Sequence, residues 1–152
     1  MEITYPCGQE VIESVLPHRS PFLWLSRVLA CEPGVSVTAE LDVSEDLPLF
    51  KGHFPEYPVL PGVIIMEALA QAASFSLLLG AEQEGALGFF AGIDKAKFRS
   101  QVKPGDTVTL EATIVKSSHG LSVADVKASV GDRVCATATQ KYMIAKPTHE
   151  SE

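Results

Sequence analysis

From Val63 to Leu79 the chain is apolar almost all round: Glu67 is the one charged residue, and Gln71, Ser74 and Ser76 are the other polar ones. Pro61 and Gly62 suit a helix start, because proline is pre-set for the first turn and loses no needed N–H there, and Gly80 suits the stop. About five helical turns lie between them. A helix with so little polar surface belongs in the middle of a fold. Glu67, Gln71 and Ser74 fall at i, i+4 and i+7, which makes one narrow polar stripe on the rod. A carboxylate in that position must find partners or take up a proton. It reads either as a proton donor for chemistry near neutrality or as a side chain on a sheet edge or wet seam.

Around this helix the hydrophobic period is that of strands. Residues 8 to 15 suit a short helix ended by Leu16-Pro17. Phe22 to Cys31 is apolar enough for a strand, Pro33-Gly34 marks a turn, and Val35, Val37, Ala39, Leu41 and Val43 alternate with polar residues. After the helix comes a polar turn at Glu82 to Gly85, then strand-like composition from 86 to 99. Pro104-Gly105-Asp106 turns the chain into an alternating segment from Thr107 to Ile114. His119-Gly120 and Gly131-Asp132 bound strands at 121 to 130 and 133 to 145, so the last three strands form a meander. Residues 146 to 152, with His149, read as a polar tail. The whole of 1 to 152 reads as one α+β domain in which antiparallel strands must cover a long buried helix.

A hydrophobic content of 46% supports a real core, and a net charge of −7 argues against broad nucleic-acid binding. Cys7, Cys31 and Cys135 have neither disulfide-framework nor metal-ligand spacing, so no metal is expected and a reducing cytoplasm is the simplest home. The apolar stretch is short for a membrane span and carries Glu67. Lys95, Lys97 and Arg99 would share one face of a strand. They suit either docking of an acidic partner or the protection of an exposed edge.

The loop before the helix, GHFPEYPVLPG, carries His53. A lone loop histidine is either a packing residue or an acid–base group. Gly52 permits unusual backbone angles, and Pro55, Pro58 and Pro61 stiffen the link from the imidazole to the helix start. Free backbone N–H groups at that start, notably at Gly62, could hold a carbonyl oxygen. His18 reads as a structural hydrogen-bonding residue, having no acidic partner nearby in sequence.

Three segments in one order, LPHRSPFLWLSRVL (16 to 29), LFKGHFPEYPVLPGVIIMEALAQAA (49 to 73) and FFAGIDKAKFRSQVKPGD (89 to 106), resemble the FabZ-type 3-hydroxyacyl-[acyl-carrier-protein] dehydratases. The resemblance implies a hot-dog fold, an antiparallel sheet wrapped round a long central helix. It also implies a homodimer, with a trimer of dimers left open as the larger assembly, and with His53 of one subunit and Glu67 of the other as the catalytic pair. Gly62, with Val63 beside it, would bind the thioester carbonyl. Phe54, Phe90 and Phe98, with Phe50 and Phe89, are candidates to line an acyl tunnel, against an alternative of plain core packing. The implied partner is an acyl-carrier protein docking at Lys95, Lys97 and Arg99, and no cofactor is implied. Glu67 and Ala70 stand where the isomerising relatives usually have Asp and Trp. Ser20, Ser26 and Ser100-Gln101 depart from the family pattern. A hot-dog thioesterase and a non-catalytic acyl-binding subunit are the rival readings.

Overall fold

The computed structural model describes residues 2–81 and 85–146. Residues 82–84 of the expected turn and 147–152 of the expected tail, including His149, lie outside the described residues.

The long helix forms where the apolar run requires it. α1 is Gln9–Val15 and α2 is Gly62–Gly80; the strands are β1 Arg27–Glu32, β2 Ser36–Asp42, β3 Leu87–Phe98, β4 Thr107–Ser118, β5 Leu121–Val130 and β6 Arg133–Ala145. The strands make one antiparallel sheet in the order β1-β2-β4-β5-β6-β3, and α2 touches all six. This is the hot-dog arrangement. By length and mean hydropathy α2 alone could cross a membrane, but two-thirds of it is buried against its own sheet.

Alternation explains why the sheet curls onto the helix. In the β2–β4 ladder Val37 faces Ala112, Ala39 faces Leu110 and Leu41 faces Val108, and all six side chains are buried. Their outward neighbours are polar, as in Thr38, Glu40 and Thr109. Small inward residues, among them Ala124, Ala128 and Ala136, let the strands approach Leu69 and Phe75 of α2, which are fully buried. Each such large side chain contributes about 1.5–3 kcal/mol on burial.

The first strand is shorter than expected. Phe22 to Ser26 stay outside the ladder, and β1 begins at Arg27. The reason is a competing partner: the Trp24 N–H donates to Gln71 Oε1 at 2.7 Å, and Gln71 Nε2 donates to the Phe22 carbonyl at 2.9 Å. At Phe22 and Trp24 the backbone is satisfied by the polar stripe of α2, and the neighbouring strand is first met at Ser26, whose N–H donates to the Glu40 carbonyl at 2.8 Å.

β3 is an edge strand of the sheet, 12 residues long and exposed along most of its length. Phe89, Phe90, Ile93 and Phe98 all stand out from it.

Candidate active site

The polar stripe of α2 opens into a cavity of about 220 Å³ lined by His18, Glu67, Ala70, Gln71, Ser74, Gly88, Phe89, Phe90 and Tyr142. Glu67 is half-buried there, its side chain 22% exposed. Gln71 is fully committed: its carbonyl accepts from Trp24, one N–H goes to Phe22, and Nε2 also donates to Glu67 Oε2 at 3.0 Å. Held from the backbone side, the amide cannot flip, so its donor always faces the carboxylate.

His18 has no acidic partner nearby in sequence; the fold supplies one. Its Nε2 lies 3.8 Å from Glu67 Oε2. Arg19 accounts for the placement. Its guanidinium donates to the carbonyls of Leu16 and His18 at 2.8 and 2.7 Å and to Glu13 at 3.0 Å, capping the end of α1 and fixing the junction that carries the imidazole. Burial lowers the proton affinity of His18 below the usual histidine range; the Glu67 charge opposes this and Arg19 adds to it. The sequence signal was available in LPHRSPF, but the contact joins residues 49 positions apart in the chain.

Tyr142 was also missed, since an inward residue on a strand reads as core. Its hydroxyl donates to Gln140 Oε1, and Gln140 Nε2 donates to the Met66 carbonyl at 3.0 Å. Burial, then the nearby Glu67 charge, push the phenol above its ordinary range.

His53 is placed by its own loop. Its Nδ1 lies 2.8 Å from the Val59 carbonyl. A carbonyl only accepts, so Nδ1 carries the proton and Nε2 is left with a free lone pair. The unusual backbone angle falls not on Gly52, whose φ is −105°, but on Phe54, at φ +62°. The Phe54 ring sits 4.2 Å from the imidazole, centroid to centroid. Glycine was expected there on conformational grounds; the strain lies two residues later, on a residue that touches the histidine. His53 is not among the residues lining the Glu67 cavity of its own chain.

Gly62 is the first residue of α2, with Pro61 as its N-cap. The N–H groups of Gly62 and Val63 precede the first possible intrahelical acceptor, whereas Ile64 and Ile65 donate to the Pro61 carbonyl. A Cβ on Gly62 would lie 2.7 Å from Phe98 Cε1, so any larger residue would have to displace that ring. The Val63 side chain is 74% exposed. Of the aromatic candidates, Phe89 and Phe90 line the cavity, Phe98 covers the helix start, Phe54 flanks His53, and Phe50 is buried in the core.

Lys95, Lys97 and Arg99 are exposed and join no ion pair among the described residues. They do not share one strand face as expected. The β3–β6 register shifts between Asp94 and Lys97, Lys95 takes φ +56°, and Arg99 lies past the strand end. This bulge turns the alternation over between the two lysines. A larger open groove of about 740 Å³ lies on the outer side of the His53 loop and includes neither His53 nor Glu67. Its lining mixes Glu45, Asp46 and Glu56 with Lys51 and Lys103.

Comparison with known proteins agrees with this geometry. The FabA-like domain matches residues 16–139. The 3-hydroxyacyl-[acyl-carrier-protein] dehydratase FabZ of Ruminiclostridium cellulolyticum is 50% identical over 135 residues, covering 89% of this chain and 95% of that one. The FabZ of Staphylococcus saprophyticus is 44% identical over 144 residues, covering 95% and 98%. Among solved structures, a chain of the dehydratase heterocomplex ApeI:P from Xenorhabdus doucetiae superposes with a TM-score of 0.76 at 18% identity, over 97% of this chain and 94% of that one, a likeness of fold. The chain belongs to the FabA-like family, and within it to the FabZ-type 3-hydroxyacyl-[acyl-carrier-protein] dehydratases.

Proposed function

We propose that the chain removes water from (3R)-3-hydroxyacyl thioesters of acyl-carrier protein, giving trans-2-enoyl thioesters for fatty-acid biosynthesis, with His53 as base and Glu67 as acid. The observation that carries the assignment is the His53–Val59 hydrogen bond, which leaves Nε2 free to accept a proton. His53 Nε2 takes the C2 proton, and negative charge gathers on the thioester oxygen. The Gly62 N–H, unused by the helix and at the positive end of its dipole, is placed to hold that charge. The C3–O bond then breaks, Glu67 donates a proton to the departing hydroxyl, and the C2–C3 double bond forms. Water leaves, with His53 charged and Glu67 ionised until a proton returns through solvent. The step is redox-neutral and balances on these groups alone.

The cavity beside Glu67 suits the acyl chain, with Phe89, Phe90 and Phe98 along its route. A second copy of the chain is the natural cover for β3, since a long, exposed, apolar edge invites pairing with its equal. Such a dimer brings His53 of one subunit to Glu67 of the other; a trimer of these dimers is the larger assembly this reading includes. Lys95, Lys97 and Arg99 supply local positive charge for an acidic carrier protein, and the cytoplasm is the compartment this chemistry fits.

The test is one short 3-hydroxyacyl thioester followed for enoyl absorbance and for free thiol. Enoyl product from the wild type, reduced at least about a hundredfold in His53→Ala and in Glu67→Gln, supports the assignment. Thiol release without enoyl absorbance would make the chain a thioesterase, and no turnover of either kind a binding subunit.

A further inference from the structure

Glu67 has two oxygens, and the reaction needs the proton on one that substrate can reach. Gln71 donates to Oε2. His18 approaches the same oxygen, with Nε2 at 3.8 Å and its side chain 22% exposed. The other ring nitrogen, Nδ1, is buried with no hydrogen-bond partner among the described residues. A buried N–H without an acceptor is the costlier orphan, so the ring's single proton belongs on Nε2, facing the carboxylate.

We infer that His18 is a positioning residue for Glu67: as a neutral imidazole with its proton on Nε2 it joins Gln71 in reserving Oε2 as an acceptor, leaving Oε1 to carry the proton that the reaction transfers. At 3.8 Å the two atoms are beyond direct hydrogen-bond range, a gap that one bridging water or a small shift on substrate entry closes. The charge state matters as much as the geometry. An imidazolium at this point would pair with the carboxylate and hold Glu67 as an anion with nothing to donate. Burial of His18 works against that state. The other ionisable groups around the pair are Arg19, adjacent in the chain, which also disfavours a charged ring, and Tyr142 on β6, whose proton is committed to Gln140.

The inference rests on Glu67 being the acid, and the test separates the two. The four histidines can be labelled with ¹⁵N and resolved by variant spectra. In the wild type at pH 7.5 the His18 ring should show the neutral pattern with the proton on Nε2. Its titration midpoint should lie below the usual 6.5. In turnover, His18→Leu should lower kcat about tenfold or more with KM within about twofold, and His18→Gln, which restores an N–H, should recover most of the loss. The His18→Gln rate should also fall less steeply than wild type below pH 6.5. A proton on Nδ1 or a charged ring at pH 7.5 would overturn the role of His18. The spectra need only the wild type, so a His18 variant that fails to fold does not spare the inference. If Glu67→Gln is dead while the His18 proton sits on Nδ1, only the positioning role falls. Near-wild-type turnover in Glu67→Gln removes the acid assignment itself.

Discussion

Two inactive chains should repair each other. Within one chain the cavity at Glu67 is lined by residues of α2, β3 and β6 together with His18, and His53 is absent from it. His53 is held by Val59 in the loop that precedes α2, and Glu67 lies five residues into the helix, roughly 7.5 Å along its axis from Gly62. On the proposed reading, a dimer formed at the exposed β3 edge would supply each cavity with the partner's histidine. Co-express His53→Ala and Glu67→Gln with different affinity tags. In a mixed dimer one site carries both lesions, and the other takes His53 from the Glu67→Gln chain and Glu67 from the His53→Ala chain. With random pairing half the dimers are mixed and half of their sites work, so activity should return to roughly a quarter of wild type. Dimers purified through both tags should reach about half, read as enoyl absorbance per subunit. Doubly tagged dimers that remain dead would refute the shared site and leave a pair built within one chain.

Other perturbations probe the supports. Reversing Lys95, Lys97 and Arg99 to Glu should weaken turnover of carrier-protein substrates far more than of small thioester mimics, with the difference shrinking at high salt; equal losses would make the patch structural. A Cβ on Gly88 would lie 2.9 Å from Ser74 Oγ, so Gly88→Ala should cost about 1–3 kcal/mol in denaturant unfolding. Adding Ser74→Ala should recover part of that, and strictly additive effects would show the contact is not the cause. Because His18 binds its proton less readily folded than unfolded, the unfolded chain takes up more protons below about pH 6.5, and stability should fall as pH drops through that range. His18→Gln should flatten this limb but leave the further loss at lower pH, where Asp42, held ionised by Arg27, takes up its proton.

Residues 63 to 79 made the central helix legible because an apolar run with one charge has a single place to go; strict alternation did the same for β2 and β4, and the turns at His119-Gly120 and Gly131-Asp132 for β5 and β6. Alternation reports a face only while the ladder stays regular. It failed at Lys95, where an extra residue is absorbed at positive φ, and apolar composition failed at Phe22 to Trp24, whose backbone bonds to Gln71 instead of a strand. Three of the four residues that depart from the family pattern have hydrogen-bond partners in the fold. Ser26 Oγ accepts from the Asp42 N–H at 2.8 Å, Ser100 donates to the Val134 carbonyl at 2.9 Å, and Gln101 accepts from Tyr57 at 2.8 Å. In the site, the partner of Glu67 that is four residues away on the same helix, Gln71, could be read from periodicity. His18 and Tyr142 could not, because helical and strand periods order neighbours along an element and say nothing of which distant element will face it. The surroundings of Glu67 are therefore a property of the curled sheet. The same curl that hides α2 brings the PHR junction and β6 against the one charged residue the helix carries.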